Sequence, residues 1–340
     1  MAYSTIAKSS SYMNTKIYTG TGATNAQTGL GFQPDLTWIK SRSNTYSHTW
    51  TDAIRGYTKH ISSNSTNAEY SSSTELTSFD TDGFTLGTDA GVNNNGSTFA
   101  AWNWKANGSG SSNSDGTITS TVSVDSTSKF SIVKWAGNST AGATVGHGLG
   151  AAPSFMIIKN LGASTQWLTW WDFFANTEMM YLNLTNAKGT GQTYLNSTTP
   201  TSSVITLGGG ADENQNTMIA YCFAEVPGFS KFGTYTGNGV VDGAFVYLGF
   251  KPSFVVIKRE DQTTNWVVYD NKRDSYNTGT KVLLPDNSAA ETSGTQKIDL
   301  LSNGFKLRST GNNTNDSSPY VYMAFGQPIV STNNNIATAF

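Results

Sequence analysis

The sequence predicts an all-β protein of three tandem antiparallel β-sandwich domains, about 100 residues each. Three observations carry that expectation. The phrase Pro-x-[Leu/Phe]-x-x-Ile-Lys is written three times, in "GFQPDLTWIK", "AAPSFMIIKN" and "FKPSFVVIKR", around Pro34, Pro153 and Pro252. Further landmarks stand around each copy in a fixed order. The chain also carries 34 Gly and only 13% charged residues, a profile produced by many short strands joined by tight turns.

The first unit covers residues 14–106, within a domain of 1–106 that includes a short N-terminal lead. It opens on Tyr18-Thr-Gly20. Its phrase "DLTWIK" is β-branched and aromatic, with proline at the strand entrance, where no ladder hydrogen bond is lost. Trp50 and Asp52 follow, then "GFTLG" from Gly83; the unit closes on "TFAAWNW" to Trp104, the alternation one face of a sheet requires. The stretch that best suggests a helix is "TDAIRGYTK" after Thr51, a turn or two at most.

Residues 107–128 read as a Gly/Ser-rich linker, with "TITSTVSV" as a candidate edge strand. The second unit, 130–226 in a domain of 129–227, repeats the order. It has Trp135-Ala-Gly137, Pro153, Trp171 with Asp172, "VITLG" from Val204 and "IAYCF" to Phe223. The third, 229–328 in a domain of 228–328, has Tyr235-Thr-Gly237, Pro252, Tyr269 with Asp270, "GFKLR" from Gly304 and "VYMAF" to Phe325. Residues 329–340 form a polar tail. A period near 100 residues exceeds the roughly 20–50 of solenoids, so each unit is expected to enclose its own core.

Net charge is −2 and the cations are scattered, which argues against nucleic acid or an anionic membrane as partner. Cys222 is the only cysteine; it lies in an apolar alternation and reads as a small hydrophobe. No signal peptide and no spanning apolar run are visible, so membrane insertion is not expected.

A residue present at equivalent places in all three units more readily maintains the fold than performs a reaction. Pro34, Pro153 and Pro252, with Asp52, Asp172 and Asp270, are therefore read as structural landmarks. Asp52 and Asp270 are followed by Arg55 and Arg273, whereas the second unit has Ala175, as a local bridge dispensable in one copy would. His48, His60 and His147 lack ligand spacing, and one cysteine builds no thiolate site, so neither metal nor cofactor is expected. "DTDGF" from Asp80 lacks the closing glutamate of a calcium loop, since Gly91 stands there, and reads as a turn.

The candidates for ligand binding or an interface are Trp167, Trp170, Trp171 and Phe174 in "TQWLTWWDFF", with Asp212 and Glu213 in "GGGADENQNT". Alternating side chains cannot all face one small core. The aromatic cluster either packs against a neighbour or offers sugar-stacking faces. The acidic loop is either a polar recognition tip or a solvated hairpin.

The order "YTGTG…GFQPDLTWIK…DAIRG…SFDTDGFTLG…AWNWKA", then "VGHGLGAAPSFMIIKN…MIAYCFAE" and "GFSKFGTYTGNG…GFKPSFVVIKR…NGFKLR", resembles a β-rich family of tailed-bacteriophage virion proteins. These are frequent in marine phages and usually labelled tail fibre or structural protein. The resemblance runs from Tyr12 to about Gln327. It implies a virion-surface location after assembly in the host cytoplasm, other virion proteins as partners, and no catalytic residues. The expected role is a non-enzymatic, receptor-binding tail component recognising host surface glycan, with repeated modules multiplying weak contacts. The alternatives are a capsid decoration protein (cement or head fibre) on the phage shell and a polysaccharide depolymerase. A closed homo-oligomer, a trimer by the usual symmetry of virion parts, is the expected assembly.

Overall fold

Residues 4–330 are described by a computed structural model, which is nearly all β with antiparallel ladders. Three large sheets share one strand order. In the first, Met13–Thr19, Thr98–Trp104, Leu36–Ser41 and Thr49–Asp52 lie side by side in that sequence. In the second the same places are held by Phe130–Ala136, Thr217–Phe223, Phe155–Asn160 and Trp167–Trp171, and in the third by Ser230–Thr236, Pro319–Pro328, Phe250–Arg259 and Val267–Asp270. These four places are termed the opening, closing, proline and aspartate strands. The last long strand of each segment thus inserts between its first strand and its proline strand.

Register makes the three copies equivalent residue by residue. Ile39 pairs with Ala101, Ile158 with Ala220 and Ile257 with Tyr322. On this face each large sheet covers a smaller one. Ile39, Phe99 and Ala101 pack with Leu76, Phe84 and Leu86; Ile257 and Tyr322 pack with Val246, Phe305 and Leu307. In the second segment the small sheet is reduced to Thr144–Gly146 and Val204–Thr206.

The opposite faces meet. Trp38, Trp50 and Trp102 of the first segment, Phe155, Ile157 and Tyr221 of the second, and Phe254, Val256 and Met323 of the third belong to one apolar cluster. Ring centroids approach across all three boundaries: Trp50–Tyr221 at 5.3 Å, Phe223–Phe325 at 5.7 Å and Trp102–Phe254 at 5.7 Å. The three sheets therefore close a ring around a common core. Each proline strand is covered on both faces, which is why it reads as an almost unbroken apolar run rather than an alternation. The separate interiors expected for the units are joined through this shared centre.

Other departures have local causes. Pro252 sits inside its strand, at a register shift between Pro252 and Phe254, and not at the entrance; a bulge is another place where a sheet tolerates a missing N–H. Residues Ser111–Asn113 and Ser120–Asp125 pair onto the second sheet beyond its opening strand, and Met180–Tyr181 pairs beyond its aspartate strand, which together widen it to seven strands. The Asp35 carboxylate accepts the N–H groups of Ala106 (2.6 Å) and Gly108 (3.0 Å), so the linker is tied down where it starts. The α-helical turn forms at Ala90–Asn93, with Asp89 as its cap, and not after Thr51. There the Asp52 carboxylate takes the Arg55 N–H at 3.0 Å, a side-chain bond that competes with helix.

The Tyr/Trp-x-Gly landmark also has a physical reason. Gly20 lies against the backbone of Asn93 and Asn94, where a methyl group would collide with the Asn94 oxygen. Gly237 stands the same way against Asn315 and Asp316. The buried Asn93, Asn214 and Asn315 amides donate to Gly87 O (2.6 Å), Gly208 O (3.1 Å) and Ser309 O (2.8 Å), locking the same loop in each segment.

Candidate functional site: the three seams

The final lysine of the repeated phrase points inward. Lys40, Lys159 and Lys258 are fully buried, and burial lowers each ammonium pKa to about 8. Their protons go to carbonyl groups. Lys159 Nζ donates to Thr165 O (3.1 Å) in its own segment and to Thr66 O (3.0 Å) in the first. Lys258 Nζ donates to Arg259 O (2.9 Å) and, in the second segment, to Thr185 O (3.2 Å). Lys40 Nζ donates to Ser41 O (2.7 Å) and Asn44 O (3.3 Å).

At one offset from these lysines stand Trp167, Trp266 and His48. Trp167 Nε1 donates to Ser65 O of the first segment and Trp266 Nε1 to Tyr181 O of the second, each at 3.0 Å. His48 does the same with an imidazole. Its Nδ1 accepts from Trp38 Nε1 at 2.7 Å, which leaves the proton on Nε2 to meet Leu284 O of the third segment at 2.8 Å. Burial, assisted by the nearby Lys40 charge, lowers the His48 pKa to about 3, so the ring stays neutral. Loops thus bind first to second, second to third and third to first.

The repeated aspartates also act across boundaries. Asp52 Oδ2 accepts Arg55 Nε and, at 2.8 Å, the hydroxyl of Tyr221 in the second segment. Asp270 Oδ2 accepts Arg273 Nε at 2.5 Å and Trp102 Nε1 of the first segment at 3.0 Å. Burial alone would raise the Asp270 pKa, but the Arg273 charge and hydrogen bonds outweigh it and hold it below the usual range. Tyr221 and Trp102 occupy one position of the closing strand, paired with Ile157 and Trp38; Met323, paired with Val256, is the third. At that third seam the donor and the arginine are lost together, as Met323 and Ala175, and Asp172 is exposed.

A second set of equivalent positions decides how each seam is filled. Glu69 N donates to Leu161 O (2.9 Å), Lys188 N to Glu260 O (2.7 Å) and Glu291 N to Arg42 O (2.8 Å). Between the third and first segments, Arg42 clamps Glu291 through two bonds of 2.8 and 3.0 Å. Between the second and third the charges are reversed: Lys188 Nζ sits 3.1 Å from Glu260 and 3.2 Å from Glu178, above the Phe174 ring. Between the first and second, the clamp position is the uncharged Leu161. An open cleft of about 380 Å³ lies there, lined by Arg55, Lys59, Glu69, Lys134, Leu161, Gly162 and Thr217. Lys59 Nζ reaches Ser71 Oγ at 2.8 Å and Glu69 at 3.8 Å. The Lys134 ammonium has no hydrogen-bond or ion-pair partner among the described residues.

The aromatic candidates lie elsewhere. Trp167, Trp170, Trp171 and Phe174 are buried, because the first and third segments cover the faces that one small core could not. Trp171 stacks on Trp266 at 6.0 Å and Trp50 meets Trp167 at 5.3 Å. None of the four presents a ring face to solvent; they pack against neighbours, one of the two arrangements the sequence allows. Asp212 accepts Gln166 N at 2.9 Å, and the buried Glu213 accepts Gly210 N at 2.6 Å with its pKa raised by burial; both brace a loop that is not a hairpin, since Val204–Thr206 and Thr217–Phe223 on either side of it lie in different sheets. Pro34 and Pro153 precede their strands. Lys134 and Glu69 carry no mark in the sequence, whereas a lysine repeated after an apolar run could have flagged the buried ammonium groups.

Among the described residues no group of three or more His, Cys, Asp or Glu is placed to hold a metal ion, and no helix is long and apolar enough to cross a membrane. One family model matches residues 8–328, spanning all three segments together. The chain belongs to the DUF7483 family. That family is described as a domain of unknown function, and in this member its unit is the whole ring, not one segment. No curated protein and no solved structure matches the chain.

Proposed function

We propose that this chain is a non-enzymatic binding protein on the surface of a bacteriophage particle, a receptor-binding tail component that holds host surface glycan. The observation that carries the reading is the one open seam in a ring whose other two seams are filled by their own side chains. Two of the three repeated aspartates are engaged by arginine and ring donors, which favours holding over turnover. The resemblance of the motif order to that of tailed-phage virion proteins supports the particle.

Gold-labelled antibody against the purified chain should decorate tail tips on intact particles. Labelling of the head would replace this reading with capsid decoration. Release of reducing ends from host polysaccharide would replace it with a depolymerase.

A further inference from the structure

We infer that the cleft between the first and second segments binds an acidic sugar, a pyranose unit bearing a carboxylate, and this rests on the proposed adhesive role. The argument comes from comparing the seams. Where Arg42 and Glu260 fill two of them, Leu161 leaves the third without a plug. The resulting volume, about 380 Å³, lies in the range of small-molecule sites.

Its lining selects the ligand. The Lys134 ammonium has no partner of its own among the described residues, and Lys59 Nζ, which donates to Ser71 Oγ at 2.8 Å and lies 3.8 Å from Glu69, places a second positive charge beside it, so an anion meets one free and one partly engaged ammonium group. The same position as Lys134 is Ile17 in the first segment and Thr234 in the third, by their pairing with Ala100 and Val321. A cation here is thus peculiar to the open seam. Glu69 faces the same space with one oxygen held by Arg55 Nη1 at 3.3 Å; its charge repels a doubly charged phosphate more than a single carboxylate, and its other oxygen is placed to accept from sugar hydroxyl groups. Thr217 adds a hydroxyl, and Leu161 with Gly162 provides an apolar floor for C–H groups.

Calorimetric titration of the full chain with oligogalacturonate, its methyl ester and inorganic phosphate tests this. The acid form should bind at least about tenfold more tightly than the ester or phosphate. Lys134→Gln should weaken acid binding by about tenfold or more without lowering the melting temperature. Leu161→Arg, which installs the residue of the third-to-first seam opposite Glu69, should abolish binding. Equal binding of ester or phosphate, no binding of the acid, or unchanged affinity in Leu161→Arg or Lys134→Gln would overturn the inference. Tail labelling with no acid binding would remove this ligand alone; acid binding with head labelling would remove the tail role alone.

Discussion

At the scale of single residues, the three buried lysines make a titration argument. Burial lowers each folded-state pKa to about 8, whereas the unfolded chain keeps the ordinary lysine value of about 10.5. Between those values the unfolded chain binds more protons, so stability rises with pH across that window, and below it both states are charged. Urea midpoints should increase from pH 8 to 10, and Lys159→Met should remove about one third of the slope. A flat wild-type profile would mean that the ammonium groups keep their protons inside. The aspartates give a sharper contrast. Asp270→Ala leaves Arg273 charged and buried and should cost about 3–5 kcal/mol. Asp172→Ala, exposed and lacking an arginine, should stay within about 0.5 kcal/mol. Equal losses in urea unfolding would refute the assigned roles. The sequence made the Asp–Arg pairing legible because it is local. It did not show that Tyr221 and Trp102 complete those pairs, since they lie far along the chain.

At the scale of elements, the repeated phrase was readable because strand register fixes its spacing. Every copy must place an isoleucine on the small sheet and a lysine at the seam. The aromatic run from Trp167 to Phe174 was harder. Alternation says that both faces of a strand carry rings, but not what covers the second face; here it is the neighbouring segments. The loop locks yield a prediction. Gly20→Ala or Gly237→Ala forces the opening strand away from the asparagine loop and should destabilise by about 1–3 kcal/mol, read as a lower melting temperature. Unchanged melting in both variants would show that the loops move freely.

At the scale of the whole molecule, a shared centre couples the segments. Calorimetry should give one unfolding transition whose van't Hoff and calorimetric enthalpies agree; separate transitions would mean that the common core contributes little. The ring also makes within one chain the threefold contacts that a trimer would make between chains. Light scattering should therefore report the mass of a single chain, 36.4 kDa, and a threefold larger mass would point to a further interface.

The reversed charges around Lys188 depend on the three segments lying in one polypeptide. In an assembly of three identical polypeptides any substitution falls on every junction at once, so one junction cannot acquire opposite polarity while the others keep theirs. Once the copies are joined in a single gene, each can drift alone. Here Lys188 faces Glu260 at one junction while Arg42 faces Glu291 at the next, a pattern of polarity that no ring of identical subunits could carry.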